Sequence, residues 1–426
     1  MHNYLSYIDP GTGSMLFSIL LGTVGAFAYL IRLLVLKLKF KISGGRRGKV
    51  SAEKIPIVIF SDHKRYWTTF REICKELDRR GIGAVYMTAS PDDPALEEEF
   101  STVKCEFIGE GNKAFSKLNF LNAYIVLSTT PSLDVYGWKR SKNVNYYIHI
   151  LHSSACANQY RLFGLDYYDA VWVSGPHQVE QIRELEQIRK LPAKDIRILG
   201  LPYMDALYER KLSAPAAQKS EVPTVLLAPT WGKISLFNRY GTKLIDALAA
   251  TGYKIVIRPH PQSFSSEADM IEELQKKYPN GPMLEWNSDI DNFDALNSAD
   301  IMISDFSGVV YDFILIFDKP VIYSLDEVDF SQYDGWYNTK PFWNFKTLPT
   351  VGKELTAESL DNIKEMIDEL MASDEYAQGR AAARATAWNN IGKSPVTVVD
   401  NMLEKLDELK KEAEGADAAA AAVATE

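Results

Sequence analysis

Cysteine is scarce in this chain. Cys74, Cys105 and Cys156 are the three among 426 residues, too few and too scattered for a disulfide framework or a thiolate zinc site. A reducing compartment is the reading that follows. A basic body is lacking too. Residues 1–50 hold seven basic side chains (Arg32, Lys37, Lys39, Lys41, Arg46, Arg47, Lys49) against the acid Asp9, so a total of −9 leaves the remaining 376 residues at −15. A net-acidic body argues against general nucleic-acid binding, which needs a basic face. The chain carries no P-loop, nucleophile elbow, kinase motif set or dinucleotide glycine fingerprint. With 46% apolar and 24% charged residues, wholesale disorder and a polytopic membrane protein are both excluded. The length suits two or three folded units.

What is present starts at the amino terminus. From Pro10 to Ile31 no side chain is charged, and about 20 apolar residues suffice for a helix to cross a bilayer. The basic cluster follows on the carboxyl side, and Lys37, Lys39 and Lys41 alternate with Leu38 and Phe40 as side chains reaching for an interface do. By the positive-inside rule the amino terminus faces out and the body faces the cytoplasm. Residues 1–42 are therefore expected to be a single-pass transmembrane anchor with a basic flank in the cytoplasmic membrane. A cleaved signal peptide ending near Ala26-Phe27-Ala28 is the weaker reading, because the stretch before the apolar run holds Asp9 in place of positive charge.

After the linker-like Ser43–Gly48, short β-rich runs alternate with longer amphipathic stretches. Strands are expected at Ile55–Phe60, Ala84–Met87, Cys105–Ile108, Ala123–Leu127, Asn145–Leu151, Ala170–Val173 and Ile196–Leu199. A small, polar, proline-bearing stretch, Lys211–Val222, reads as an interdomain linker. The alternation restarts with strands at Thr224–Ala228, Lys254–Arg258, Met283–Trp286, Ile301–Ser304 and Pro320–Ser324. The pattern predicts an α/β protein of two doubly wound, Rossmann-like domains with parallel sheets, over 43–210 and 222–411. Closing helices over Ser359–Ala372 and Glu375–Trp388 are assigned to the second domain, and 412–426 to a disordered tail or frayed helix.

Ligands of doubly wound sheets sit beyond the carboxyl ends of the strands, and the motifs that could carry chemistry fall there. In Ser304-Asp305-Phe306-Ser307-Gly308, with Asp312 beyond, a buried strand meets a helix start. Ser307 can cap that helix, and Gly308 lets a phosphate approach free N–H groups. A plain capped turn is the competing reading. In Arg258-Pro259-His260-Pro261 two prolines hold an imidazole beside a cation that can pair with phosphate. His149 and His152 lie three apart on an expected strand and so face opposite ways. That argues against a shared metal and leaves His152 as the general base, with His149 packed. Thr230 and Lys233, after Ala228-Pro229, could add a donor and a charge, and Gly200-Leu201-Pro202-Tyr203-Met204-Asp205 is a second strand-end turn. For both, a rigid loop competes. Asp289-Ile290-Asp291 has the spacing of a divalent-metal motif, but it precedes a helix and capping is the simpler account. No metal site is assigned.

Taken in order, Ile150-Leu151-His152, Gly200–Asp205, Ala228-Pro229-Thr230-Trp231, Arg258–Pro261, Ser304–Gly308 with Asp312, and Lys319-Pro320-Val321-Ile322-Tyr323 resemble the CDP-glycerol glycerophosphotransferase family, which includes the teichoic acid primases and polymerases. The resemblance covers about 145–325. It implies a glycosyltransferase-B fold and a place in cell-envelope synthesis. It further implies a CDP-linked donor, a lipid-linked or polysaccharide acceptor, and no cofactor beyond the donor. His152 would be the general base and His260 the imidazole at the donor pyrophosphate. Arg258, Thr230, Asp305, Ser307, Gly308 and Asp312 would form the phosphate-binding set. Ser153 stands where the family usually has glycine, and Gly232 where it often has arginine. Two rival readings are a nucleotide-sugar glycosyltransferase and a non-catalytic nucleotide-binding relative.

Overall fold

The computed structural model describes residues 54–161, 163–215, 221–289, 291–325, 334–338 and 342–423. The expected transmembrane run and its basic flank lie outside them. Among the described residues no helix is long and apolar enough to cross a membrane.

Every predicted strand is present. β1 (Ile55–Ser61), β2 (Ala84–Thr88), β3 (Val103–Phe107), β4 (Asn122–Ser128), β5 (Asn143–Ile150), β6 (Ala170–Val173) and β7 (Asp195–Ile198) form one sheet. β8 (Thr224–Leu227), β9 (Lys254–Ile257), β10 (Leu284–Trp286), β11 (Ile301–Ser304), β12 (Val321–Tyr323) and β13 (Gly352–Glu354) form the other. The strand orders are β3-β2-β1-β4-β5-β6-β7 and β10-β9-β8-β11-β12-β13, and the pairings are parallel, with Val58 opposite Val126 and Met302 opposite Leu226. The apolar runs follow from this geometry: helices cover both faces of a parallel sheet, so a central strand has no solvent side. Thr224–Leu227 and Ile301–Ser304 are buried throughout. In each sheet the strand order reverses beside the first strand, at β1/β4 and β8/β11, and loops leaving these switch points open a crevice.

Three elements depart from the sequence reading. The turn expected at Gly200–Asp205 opens a helix, Pro202–Ser213, with proline at its first position, where a missing N–H costs nothing. Its Leu201, Met204 and Leu207 join the core of the second lobe, packing with Val310, Tyr311 and Ile314. Of the expected closing helices, Ile363–Ala372 packs on the second sheet and Ala377–Ala387 places Ala383 and Ala387 in the second lobe's core. A further helix, Ser394–Val423, which the sequence reading did not include, returns to the first sheet, where Val398, Val399, Met402 and Leu406 cluster with Ile57 and Phe70. Amphipathic periodicity reports that a helix has an apolar face but not which sheet receives it. The segment from 412, expected to be a disordered tail or a frayed helix extension, continues the helix from Ser394 through Val423.

Asp205 secures the crossing. Its carboxylate accepts from the Trp388 indole at 3.0 Å and from the Ser394 N–H at 2.8 Å. Gly200 has φ +82°, and a Cβ there would overlap the Ser394 hydroxyl and the Asn389 carbonyl, so glycine is required on both counts. The shared core and this crossing hold the lobes as one body around the crevice.

Candidate active site

A cavity of about 450 Å³ occupies the crevice. Its walls come from loops after β1, β5, β8, β9, β10 and β11 and from the helix Pro202–Ser213, all at or near the two switch points. His152, His260, Arg258, Ser307, Gly308 and Asp312 all line it. Thr230, Lys233 and Asp305 do not.

His152 lies beyond the end of β5, which stops at Ile150. The expectation that it opposes His149 across a strand therefore does not hold. Both imidazoles reach the Tyr160 hydroxyl, His149 through Nε2 at 3.0 Å and His152 through Nδ1 at 3.3 Å. His152 Nδ1 also lies 3.0 Å from the Thr129 hydroxyl, and the Tyr66 ring leans on the imidazole with centroids 4.9 Å apart. With Nδ1 engaged on two hydroxyls, Nε2 is left for a substrate. Burial, with the Arg65 cation nearby, pushes His152 down to about 4. It is a neutral imidazole at physiological pH. His149 is buried against Tyr160 and Tyr168, as its packing role requires.

His260 is set by its own turn. Nδ1 accepts the Gln262 backbone N–H at 3.1 Å. The neutral ring therefore carries its proton on Nε2 and can donate there. Burial, then Arg65, then His152 push this imidazole down to about 4 as well. The two rings come from different lobes and line one cavity. Arg258 donates to Asn287 and, at 2.8 Å, to the Asp289 carbonyl, which turns its guanidinium along the cavity wall.

The helix start is built less simply than expected. Ser307 is the N-cap residue of Gly308–Asp312, but its side chain makes no capping hydrogen bond. Asp305 organises the turn instead. Its carboxylate, wholly buried, accepts from the N–H groups of Thr230 at 2.9 Å, Ser307 at 3.2 Å and Leu236 at 3.4 Å. Thr230 thus contributes a backbone N–H to Asp305 and no group to the cavity wall. Burial lifts Asp305 to about 6. Gly308 faces Ser153 across the lobes, where a Cβ on the glycine would come 2.9 Å from the serine hydroxyl. Asp312 accepts from Tyr203 at 2.7 Å and from Asn292 at 3.4 Å, and burial lifts it to about 7.

The Asp-x-Asp motif is spent on structure. Asp291 caps Phe293 N–H at 2.7 Å and pairs with Arg210, and Asp289 accepts from Asn287 at 2.8 Å. Among the described residues no cluster of three or more His, Cys, Asp or Glu could hold a metal.

Several cavity residues escaped sequence reasoning, chiefly Arg65 and Tyr66 after β1 and Tyr160 beyond β5. Their signal was positional: β1 is the first strand of a doubly wound unit, so the loop after it abuts the switch point.

A family model described as CDP-glycerol:poly(glycerophosphate) glycerophosphotransferase matches residues 149–399. This is more than half of the chain, so the protein belongs to that family and is an enzyme of the glycerophosphotransferase type. Among curated proteins none matches. Solved structures share the fold. The wall teichoic acid polymerase TagF, soaked with CDPG, aligns at 17% identity and a TM-score of 0.57 over 91% of this chain and 98% of that one. MnaA of S. aureus, solved with UDP, aligns at 11% identity and 0.56 over 83% and 97%. The UDP-GlcNAc 2-epimerase of Neisseria meningitidis aligns at 13% and 0.51 over 82% and 100%.

Proposed function

We propose that this enzyme transfers a glycerophosphate, or a related alditol phosphate, from a CDP-linked donor to a lipid-linked or surface-polysaccharide acceptor and releases CMP. One observation carries the reading: a neutral imidazole from each lobe, His152 and His260, lines a single cavity that also contains the helix start at Ser307-Gly308. The two nitrogens suit opposite tasks. With Nδ1–H donating to the Thr129 or Tyr160 hydroxyl, Nε2 of His152 offers its lone pair to an acceptor hydroxyl, and Nε2–H of His260 donates to a phosphate oxygen. The acceptor oxygen bonds to the phosphorus that bears the glycerol, and its proton passes to His152. The bond from that phosphorus to the bridging oxygen breaks, and the electron pair leaves on CMP. Negative charge on the donor raises the low pKa of His152 once the donor is bound, so the base strengthens when it is needed. Arg258, the Ser307 hydroxyl and the backbone at Gly308 would hold the diphosphate. Asp305 would act one step removed, by fixing the turn.

We place the enzyme at the cytoplasmic face of the membrane. The uncharged run Pro10–Ile31 and the basic residues from Arg32 to Lys49 support this reading. So does the acceptor class, which is membrane-bound in a lipid-linked form. Resistance of the full-length protein to alkaline extraction from membranes tests the anchor.

A second reading, sugar transfer from a nucleotide sugar, draws on the fold likeness to MnaA solved with UDP. Purified protein given CDP-glycerol, CDP-ribitol and UDP-sugars in parallel separates the two. Nucleoside monophosphate release means attack at phosphorus, and diphosphate release means attack at sugar carbon. Release of CMP from CDP-glycerol is expected, whereas diphosphate release alone would establish the second reading.

A further inference from the structure

The first lobe contributes a cation that the scheme above leaves idle. Arg65 lines the cavity from the short helical turn Lys64–Tyr66 at the carboxyl end of β1. The other cations lining or flanking this part of the cavity are paired, while Asp62 in the same loop has its Oδ1 buried without a hydrogen-bond partner. Lys64 pairs with Asp92, Arg71 with Glu98 and Arg210 with Asp291. Arg65 forms no ion pair with a carboxylate among the described residues. Its guanidinium lies over the Tyr66 ring, 5.0 Å from the centroid, and its Nε is buried without a hydrogen-bond partner. Tyr66 in turn packs on His152.

Such an arrangement is costly in the unliganded protein. A guanidinium has five donors in a planar fork suited to phosphate oxygens, and a buried donor left unmade carries its full desolvation penalty. Arg65 also stands close enough to His152 and His260 to oppose the protonation of both. Arg65 lines the same cavity as both imidazoles, the cavity in which phosphorus must sit if the acceptor is to attack it.

We propose that Arg65 is a catalytic residue whose guanidinium binds the non-bridging oxygens of the phosphoryl group during its transfer, completing from the first lobe the anion seat that the second lobe opens at Gly308. The proposal rests on the functional reading above and deepens it. The phosphoryl group gathers charge on its outer oxygens as the bond to CMP lengthens, and a preorganised cation in a dry site stabilises that charge more than it stabilises the bound donor. Arg65 takes no proton. That role stays with His152.

The test uses the full-length protein in membranes or detergent. Arg65→Gln is expected to lower kcat for CMP release from CDP-glycerol by about 10²-fold, with the KM for CDP-glycerol within about threefold of wild type. Acceptor-independent hydrolysis of CDP-glycerol should fall in parallel, because the same phosphorus reacts. Arg65→Lys keeps charge and loses the fork, so a loss of about tenfold is expected; it also serves if the glutamine variant does not fold. A kcat within threefold of wild type in the variants that fold overturns the proposal. So does an unchanged kcat with a raised acceptor KM, which would assign Arg65 to an anion on the acceptor. A second arm needs no turnover. CMP with inorganic vanadate, a mimic of the phosphoryl group in flight, should raise the melting temperature of wild type above that with CMP alone, and Arg65→Gln should abolish the increment. An equal increment in the variant contradicts the role. If wild type releases no CMP from CDP-glycerol yet shows the increment, the donor reading fails while Arg65 keeps its place.

Discussion

The two walls of the cavity are built in different ways. The second-lobe wall is set largely through backbone groups. Gln262 orients His260 from two residues away, and Asp305 gathers N–H groups from Ser307 and from the loop at Thr230. The first-lobe wall is set by side chains from separate loops: Arg65 and Tyr66 after β1, His152 after β5 and Tyr160 beyond it, with Thr129 after β4 holding His152 from behind. A turn fixes an imidazole through backbone, which any sequence with the same turn reproduces. An assembly of side chains fixes tautomer and basicity through groups that each can be lost singly. The second-lobe wall is thus held by its backbone, and on the proposed mechanism the first-lobe wall is where reactivity is tuned.

Substitutions can break or sharpen this contrast. The largest effect is expected on the first-lobe wall. His152→Ala should reduce turnover by about 10²–10⁴-fold, the usual worth of a positioned base, while the affinity for CMP stays near wild type by calorimetry. Next comes the donor-side imidazole. His260→Ala should lower kcat/KM for the CDP-linked donor by about 10²-fold. Asp305→Ala should act through the fold: it strands buried N–H groups of Thr230, Leu236 and Ser307, at about 1–3 kcal/mol for each one left unmet. A lowered urea midpoint together with weakened donor binding is the expected pair, and weakened binding with unchanged stability would instead put Asp305 in contact with the donor. The imidazoles also predict acid sensitivity. Burial holds His152, His260 and His177 at about 4, below the ordinary 6.5. The unfolded chain therefore binds more protons, and the stability these groups contribute is present above pH 6.5 and lost as pH falls towards 4. Asp305 and Asp312, lifted to about 6 and about 7, act in the opposite sense, so the comparison is between variants: from pH 7 to 4 the urea midpoint of wild type should fall relative to that of a variant with His152 and His260 replaced by Asn. The smallest effect belongs to Lys233, which does not line the cavity. Lys233→Ala should leave turnover within twofold.

The same contrast explains what the sequence revealed. Strands were legible because a buried parallel strand is an uninterrupted apolar run, as Thr224–Leu227 and Ile301–Ser304 are. His260, Arg258, Ser307 and Gly308 were legible because each stands in a short turn directly after such a run. His152 was legible by the same rule, but its orientation was not. Two residues beyond the end of β5 suffice to undo the alternation of a strand. Arg65 and Tyr66 follow the same rule, in the turn after β1, and were passed over because no proline or glycine marks that turn, whereas Tyr160 lies ten residues beyond β5 and reaches the cavity through tertiary folding. The roles of Asp305 and Asp291 depend on partners seventy or more residues away, Thr230 and Arg210. Neither periodicity nor spacing reports such pairings.

The central claim is that His152 and His260 serve one transition state from opposite lobes. A double-mutant cycle on CMP release tests it most directly. Groups that act as a unit lose most of their effect with the first substitution, so the variant carrying both His152→Ala and His260→Ala should be about as slow as the slower single variant. Losses that multiply would show the two imidazoles working independently and would contradict the account.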